Sequence, residues 1–176
     1  MSGSFGQNRI PTIADVFQFH ENIHRAIDSQ LQQERAARSP QPDAIFFGMT
    51  PDEVGALFLR LDQLAMLDLL STAEAHLRVD CQNRVRKRRK DALSRQFRSV
   101  AKHRPDKVRL AEDILDGWSK HHPGHKTCIS EFKAALKLRN WLAHGRYWYP
   151  KFGKSYTRRV VCDICDNLVM AISSQA

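Results

Sequence analysis

The sequence predicts an all-α protein, a bundle of four to six helices. Three observations support this fold class. Apolar residues recur at helical spacing in several long segments, two of these segments begin with a capping box, and the prolines and glycines lie mainly between them. In 176 residues, 42% of them hydrophobic, there is material for one sizeable core. We expect a flexible N-terminus over residues 1–11 and a single domain over residues 12–176.

The first predicted helix begins at a capping box of Thr12 and Asp15 and runs to about Arg38. It contains His20 and His24 one turn apart with a glutamate between them, the pattern of zinc proteases. Both histidines fall beside the apolar stripe, and no downstream segment offers an evident third ligand. An edge-of-core position is therefore the preferred interpretation, zinc proteolysis is the alternative, and no metal site is predicted.

A second, longer helix is predicted from Thr50 to about Val79 or beyond. Thr50 and Glu53 form a capping box, and Pro51 occupies the first helical position. This helix is apolar around so much of its circumference that it belongs at the centre of a bundle or at a dimer interface. Near its end, Glu74 and Arg78 have the spacing of a surface salt bridge. The alternative is that Glu74 orients an active-site arginine, which makes it a second-tier site candidate.

The positive charge of the chain is concentrated in one segment. The formal net charge is +9, and residues 84–104 hold ten Lys and Arg against the single Asp91. Because unbalanced cations repel one another, this density favours a polyanion partner over a merely solvated face. The apolar positions Leu93 and Phe97 extend the segment into a predicted basic amphipathic helix. Contact with an RNA backbone is predicted for Arg84, Arg86, Lys87, Arg88, Arg89 and Lys90.

Three further helices complete the predicted bundle. Asp106 is expected to cap one that is broken at residues 121–125, Thr127 to cap the next, and Thr157 to start a last helix that packs on the first. Four cysteines are too few for a disulfide framework in a chain of this size, so reduced thiols are expected. The pair Cys162 and Cys165 could be imagined in a zinc site with nearby histidines, but small hydrophobic residues within a helix are the preferred interpretation.

The segment 138–149 combines an arginine, an amide, a histidine and three large aromatics. Gly145 predicts a helix end at His144, with Asn140 one turn earlier and Arg139 five positions back, about 140° round the helix. A guanidinium can hold phosphate oxygens, and a neutral imidazole can accept and return a proton. Together they suit metal-free RNA cleavage by the substrate's own 2′-hydroxyl. The plain alternative is a histidine that only caps the helix.

The order Arg139, Asn140, three residues, His144 resembles the signature of the HEPN superfamily of small helical domains, many of them RNases of toxin-antitoxin and anti-phage systems. The resemblance implies a HEPN-like all-α fold and a homodimer whose paired motifs face one cleft. It also implies metal-independent endoribonuclease activity without a cofactor. Arg139 would bind phosphate and act in catalysis, Asn140 would be its polar partner, and His144 the general acid/base.

Some members of that superfamily carry a tyrosine two residues after the histidine, which an antitoxin nucleotidyltransferase modifies. Here that position is Arg146, and Tyr147 follows one residue later. Tyr147 is therefore a second-tier candidate, and a cognate antitoxin is a candidate partner.

The segment after the motif alternates rings and cations, and this pattern suits unstacked bases. Arg146 and Trp148 are accordingly predicted to bind RNA, and an equally weighted alternative is that the segment packs the dimer or the bundle end. The chain lacks a membrane-length apolar run and a signal-peptide pattern, which predicts a cytoplasmic protein. The leading hypothesis is an endoribonuclease, and the alternative is a non-catalytic RNA- or protein-binding module of the same fold.

Overall fold

The computed structural model describes residues 10–37, 43–103, 108–144 and 152–174, and within these ranges it is helical, with no β-strand. This confirms the predicted all-α class. A π-helical stretch, Leu110–Leu115, runs directly into the fourth helix, and a 3-10 turn, Pro123–His125, joins the fourth to the fifth. The α-helices are α1 (Ile13–Ala36), α2 (Pro51–Arg86), α3 (Ala92–His103), α4 (Asp116–His121), α5 (Lys126–Ala143) and α6 (Arg158–Ser173).

Most of the predicted helix starts are confirmed. Thr12 and Thr50 each form a reciprocal capping box, and the Thr157 hydroxyl accepts from the backbone N–H of Val160. The prediction for Thr127 is wrong. The 3-10 turn continues straight into α5, so that His125 occupies the cap position without a side-chain hydrogen bond. The predicted cap Asp106 lies outside the described residues.

Helix α2 is the centre of the bundle, as its broad apolar surface predicted. It packs against α1, α3, α5 and α6, and α6 also packs against α1. Residues Leu69, Leu70, Ala73 and Leu77, spaced at three and four positions along α2, are completely buried. In the described part of the chain, no helix has the length and apolarity needed to cross a membrane.

Helices α3 and α4 approach each other closely at Gly117. A Cβ atom placed there would lie 2.9 Å from a ring carbon of Phe97 and 3.3 Å from a methyl of Leu93. Both of those side chains are buried, as is Trp118 beside Gly117. The absence of a side chain at position 117 is therefore what lets the two helices pack at this distance.

The predicted single basic helix is wrong, because the chain turns between α2 and α3. The backbone N–H groups of Arg88 and Arg89 donate to the carbonyls of Val85 and Arg84, the bonding pattern of a Schellman motif. Arg88 takes the left-handed conformation, with φ of 48°, at the position where glycine is usual. Asp91 then caps α3, its carboxylate accepting from the Ser94 backbone at 2.9 Å and hydroxyl at 2.6 Å.

Candidate active site

The motif residues lie at the C-terminal end of α5. The helix ends at Ala143, and His144 follows as the cap residue, its backbone N–H donating to the Asn140 carbonyl at 3.0 Å. This position of His144 agrees with the sequence-based prediction. The His144 side chain is exposed, and among the described residues its ring takes part in no hydrogen bond or ion pair. The imidazole is therefore open to a ligand or to a second copy of the chain.

One carboxylate on α2 holds two arginines from different helices. Glu74 Oε2 lies 3.2 Å from Arg139 Nη2, and Glu74 Oε1 accepts from Arg78 Nε at 2.8 Å. The Glu74 side chain is only 15% exposed. The packing of α2 against α5 thus brings the second-tier candidate Glu74 into contact with the motif arginine. We call Glu74, Arg78 and Arg139 the shared-carboxylate cluster.

The remaining hydrogen-bond donors of Arg139 are only partly used. Its Nη1 donates to Asn140 Oδ1 at 3.3 Å, which places the amide beside the guanidinium. Its Nε is out of contact with solvent and has no acceptor within the described chain. A buried donor without a partner costs about 1–3 kcal/mol. A shift of the guanidinium that brings Nε to an acceptor, such as a phosphate oxygen, would recover this cost.

The shared-carboxylate cluster carries a net positive charge, because two guanidinium groups face one carboxylate. The Arg139 side chain is 32% exposed and that of Arg78 42%, so both can meet a ligand at the surface. Planar guanidinium groups are the side chains best shaped to bind phosphate oxygens. The arrangement can hold one anion beside Asn140, at the helix end that presents His144.

Arg84 does not belong to an RNA-contacting surface, and the prediction for this residue is corrected. Its side chain is 3% exposed. Its Nε donates to both carboxylate oxygens of Asp80, at 2.9 and 2.8 Å, and its Nη1 lies 3.6 Å from Asp91. The guanidinium also lies 4.7 Å from the centre of the Trp118 ring. We call these four residues the Arg84 centre, and its role is to join α2, α3 and α4.

Asp91 is acidic because of its hydrogen bonds and its charge environment. Burial raises its pKa, but the hydrogen bonds from Ser94 and the nearby Arg84 charge outweigh burial and leave the pKa lowered. The carboxylate is therefore ionised when it pairs with Arg84 at neutral pH. Asp91 is the one acid in the basic segment, and it serves the structure of the turn.

The other predicted RNA-binding residues of the basic segment form an exposed basic turn, residues 86–90. Arg86, Lys87, Arg88 and Lys90 are exposed, and Arg89 is partly buried. Two arginines of α3 donate hydrogen bonds to backbone carbonyls of the turn. Arg98 donates to the carbonyl of Arg89 and Arg95 to that of Lys90, each at 2.6 Å. Twelve residues of α2 separate Glu74 from Arg86, about 18 Å along the helix axis. The basic turn, at the C-terminal end of α2, and the shared-carboxylate cluster, between α2 and α5, are thus separate positive surfaces.

The histidines and cysteines that suggested zinc have other surroundings. His20 Nε2 lies 3.0 Å from Asp68, and the His24 ring packs against Phe58 at 4.6 Å between centres. No group of three His, Cys, Asp or Glu in the described ranges is arranged to hold a metal. Cys162 and Cys165 are buried within α6, which agrees with the preferred interpretation of them as helix-borne hydrophobic residues.

Three of the predicted site residues, Arg146, Tyr147 and Trp148, lie outside the described residues. Sequence reasoning also missed two features of the site. Arg78 was predicted only as the surface partner of Glu74. Its contact with the same carboxylate as Arg139 was not predicted. The burial of Arg84 had one available signal, the Asp91 and Ser94 spacing that predicts a cap and hence a break in the helix.

No protein-family model matches the sequence, and comparisons with curated proteins and with solved structures also return no match. The assignment of function therefore depends on the site and on the resemblance of its motif.

Proposed function

We propose that the protein is a metal-independent endoribonuclease of HEPN type that acts as a homodimer. The observation that carries the proposal is the contact of Glu74 with Arg139, at 3.2 Å. A largely buried carboxylate that contacts the motif arginine, with an amide beside it and an exposed histidine at the same helix end, supplies the groups that RNA cleavage needs. The resemblance of the motif to the HEPN signature supports the same function.

In the proposed reaction, Arg139 binds the non-bridging oxygens of the scissile phosphate. Its charge offsets the negative charge that builds on them in the transition state. The imidazole of His144 accepts the proton of the substrate's 2′-hydroxyl while the 2′-oxygen bonds to phosphorus. The bond from phosphorus to the 5′-oxygen breaks, and the leaving oxygen takes a proton from an imidazolium. The products are a 2′,3′-cyclic phosphate and a 5′-hydroxyl.

A dimer supplies both protonation states at once. Attack needs a neutral imidazole and departure needs a protonated one, so two histidines in one cleft can divide the two steps. His144 of the partner subunit would act as the acid when the first His144 acts as the base. The exposure of His144, with a ring that is not engaged by the described residues, is compatible with such a cleft.

The proposal is tested by incubating purified protein with a mixed RNA pool in excess chelator. We expect fragments with 2′,3′-cyclic phosphate ends from the wild type, and losses of at least about 100-fold in rate for Arg139→Ala and His144→Ala. Matched controls are Arg159→Ala and His103→Ala, an exposed arginine on α6 and an exposed histidine at the end of α3. An Arg139→Ala protein that cleaves at the wild-type rate overturns the assignment.

A second candidate is a non-catalytic RNA- or protein-binding module of the same fold. The observation in its favour is that His144 has no orienting partner among the described residues, whereas catalytic histidines are usually held by a third group. Under this alternative the RNA pool shifts on a gel and stays intact, both for wild type and for His144→Ala.

The proposed biological context is that of a toxin or an anti-phage component controlled by a cognate antitoxin. It rests on the motif resemblance alone. We expect induced expression of the wild type to arrest growth of a bacterial host, and His144→Ala to relieve the arrest at equal protein level. Equal arrest by both would show that any toxicity does not come from the proposed reaction.

A further inference from the structure

A groove of about 380 Å³ lies beside the shared-carboxylate cluster, between α2, α3 and the π-helical stretch. Arg78 lies at one end and Arg86, two helical turns later on α2, at the other. The wall between them is mainly apolar and includes Val85, Ala101 and Ile114, while Gln82 adds an amide. We call this feature the Arg78–Arg86 groove.

We propose that the Arg78–Arg86 groove binds one nucleotide of the RNA, its base against the apolar wall and its two flanking phosphates at the two arginines. The proposal deepens the proposed function and rests on it for the choice of RNA as the ligand. The groove has the size of a small-ligand site, for which volumes of about 300–1,000 Å³ are usual.

The two positive charges of the groove suit the two phosphates that flank one nucleotide. Arg78 and Arg86 are eight residues apart, about 12 Å along the helix axis, and the apolar wall lies between them. In an RNA strand a ribose links two phosphates and the base projects from it to the side, so the base can cover the apolar wall while the long arginine side chains reach inwards to the two phosphates. A purely apolar ligand would leave both guanidinium groups unused, and a bare phosphate would leave the wall uncovered.

Both arginines keep donors for a ligand. Arg78 uses Nε on Glu74 and Nη1 on the Val108 carbonyl at 3.3 Å, which leaves Nη2. Arg86 is exposed, and its Nη2 donates to Asn83 Oδ1 at 3.1 Å, which leaves the rest of the guanidinium. A guanidinium carries five N–H donors, so neither arginine is saturated by these contacts.

The groove also has the right position relative to the proposed reaction. Arg78 shares the Glu74 carboxylate with Arg139, so the first phosphate position of the groove adjoins the place where the scissile phosphate would bind. At the other end Arg86 is the first residue of the basic turn. A strand that occupies the groove would therefore run from the site of cleavage to the basic turn, and the groove would contact the nucleotide next to the scissile bond.

The test uses two probes that cannot be cleaved, measured by calorimetry or fluorescence anisotropy. The first is adenosine 3′,5′-bisphosphate, which is one nucleotide with both phosphates, with adenosine as its neutral counterpart. The second is a labelled 2′-O-methyl RNA oligomer, which cannot undergo 2′-hydroxyl attack. We expect the bisphosphate to bind the wild type and adenosine to bind at least about tenfold more weakly, since charged hydrogen bonds are lost.

Two variants block the groove by different means. Ala101→Phe fills it without a change of charge, and its control is Ala92→Phe, on the exposed first residue of α3. Arg86→Glu reverses the charge at one end, and its control is Arg60→Glu, an exposed arginine of the same helix that lies outside both the groove and the basic turn. Each groove variant should weaken both probes about tenfold or more, and each control by less than about threefold. Because Arg86 is exposed, its variant keeps the test valid if Ala101→Phe does not fold.

The outcomes separate this proposal from the proposed function. Unchanged binding of both probes by Ala101→Phe and Arg86→Glu, together with cleavage that needs Arg139, would reject the groove and keep the ribonuclease. Groove-dependent binding of both probes without any cleavage would keep the nucleotide site and reject the ribonuclease. Bisphosphate binding that depends on the groove while oligomer binding does not would point to a free nucleotide as the ligand and overturn the RNA subsite.

Discussion

Arg84 and Arg139 both contact acids on α2, but they differ in their burial and in their partners. Arg84 is 3% exposed and is held by two aspartates and a tryptophan ring. Arg139 is 32% exposed and shares a single glutamate with Arg78. The charge of Arg84 is compensated within the fold, whereas the shared-carboxylate cluster retains a positive charge for a ligand. Partners and burial, which follow from packing, separate the structural Arg84 from Arg139, the candidate for function.

The largest expected effect is on stability at the Arg84 centre. Arg84→Ala should lower the free energy of unfolding by about 3–5 kcal/mol, because it leaves the Asp80 carboxylate buried without its cation. Arg139→Ala should cost less than about 1 kcal/mol, because Glu74 keeps Arg78 as a partner. Chemical denaturation measures both. Adding Asp80→Ala to the Arg84 variant should recover part of the loss, and equal losses for the two single variants would contradict the comparison.

A smaller effect is expected when the shared carboxylate loses its charge. Glu74→Gln should lower kcat of the proposed ribonuclease by about 10- to 100-fold with a lesser change in KM, because Arg139 is then positioned loosely against the transition state. Glu74 is a positioning residue, since its contacts are to arginines. The matched control is Asp116→Asn, which breaks an exposed pair with Lys133. Equal effects on kcat from both variants would show that Glu74 acts only through stability.

Arg88 allows a finer test, because its left-handed backbone conformation favours glycine, whereas the proposed contact with RNA needs its positive charge. Arg88→Gly should raise the free energy of unfolding by up to about 1 kcal/mol, since glycine takes the left-handed conformation without steric cost. The same change should reduce the salt dependence of RNA binding by about one unit of log–log slope.

The control is Lys87→Gly, which removes the same charge at a right-handed cap residue, with φ of −76°. It should lower stability instead and reduce RNA binding equally. A stability loss in Arg88→Gly, or RNA binding unchanged in both variants, would contradict the role given to the basic turn.

The smallest effect concerns pH at the edge of the Arg84 centre. Burial, followed by the charges of His125 and Arg84, lowers the pKa of His122, whose ring lies 4.8 Å from that of Trp118. The unfolded chain then binds this proton more readily, so stability is lost as the pH falls through about 6.5, the unfolded value. His122→Gln should reduce that loss, and an NMR titration should place the His122 midpoint below the unfolded value. A midpoint above it would reverse the sign.

Local patterns predicted a large part of the fold. The capping boxes at Thr12 and Thr50, the central place of α2 and the end of α5 at His144 all follow from spacing along the chain. The break after Arg86 is marked by neither glycine nor proline, and its one local signal is the spacing of Asp91 and Ser94, which predicts a cap. Arg84 pairs with Asp80 one helical turn away, but its burial also needs the ring of Trp118, which is 34 positions along the chain, and a pattern confined to one segment does not include that contact.

The candidate site was predictable in its parts but not in its assembly. Arg139, Asn140 and His144 stood out as a motif, and Glu74 was selected only from its place after the most apolar stretch of its helix. The distance of 3.2 Å between Glu74 and Arg139 joins residues 65 positions apart, and it depends on how α2 packs against α5. The sequence alone therefore does not show whether Glu74 pairs only with Arg78 or also contacts the motif arginine.

The close contact of α3 and α4 has an evolutionary consequence. Position 117 has no room for a side chain while Phe97 occupies the core, since a Cβ there would lie 2.9 Å from the ring. In any lineage that keeps this packing, substitution of Gly117 is expected to be removed by selection unless the aromatic at position 97 becomes smaller first. The order in which two such substitutions can be accepted is thus restricted. Positions 97 and 117 are therefore expected to evolve together, because the methyl group absent at 117 makes room for the ring at 97.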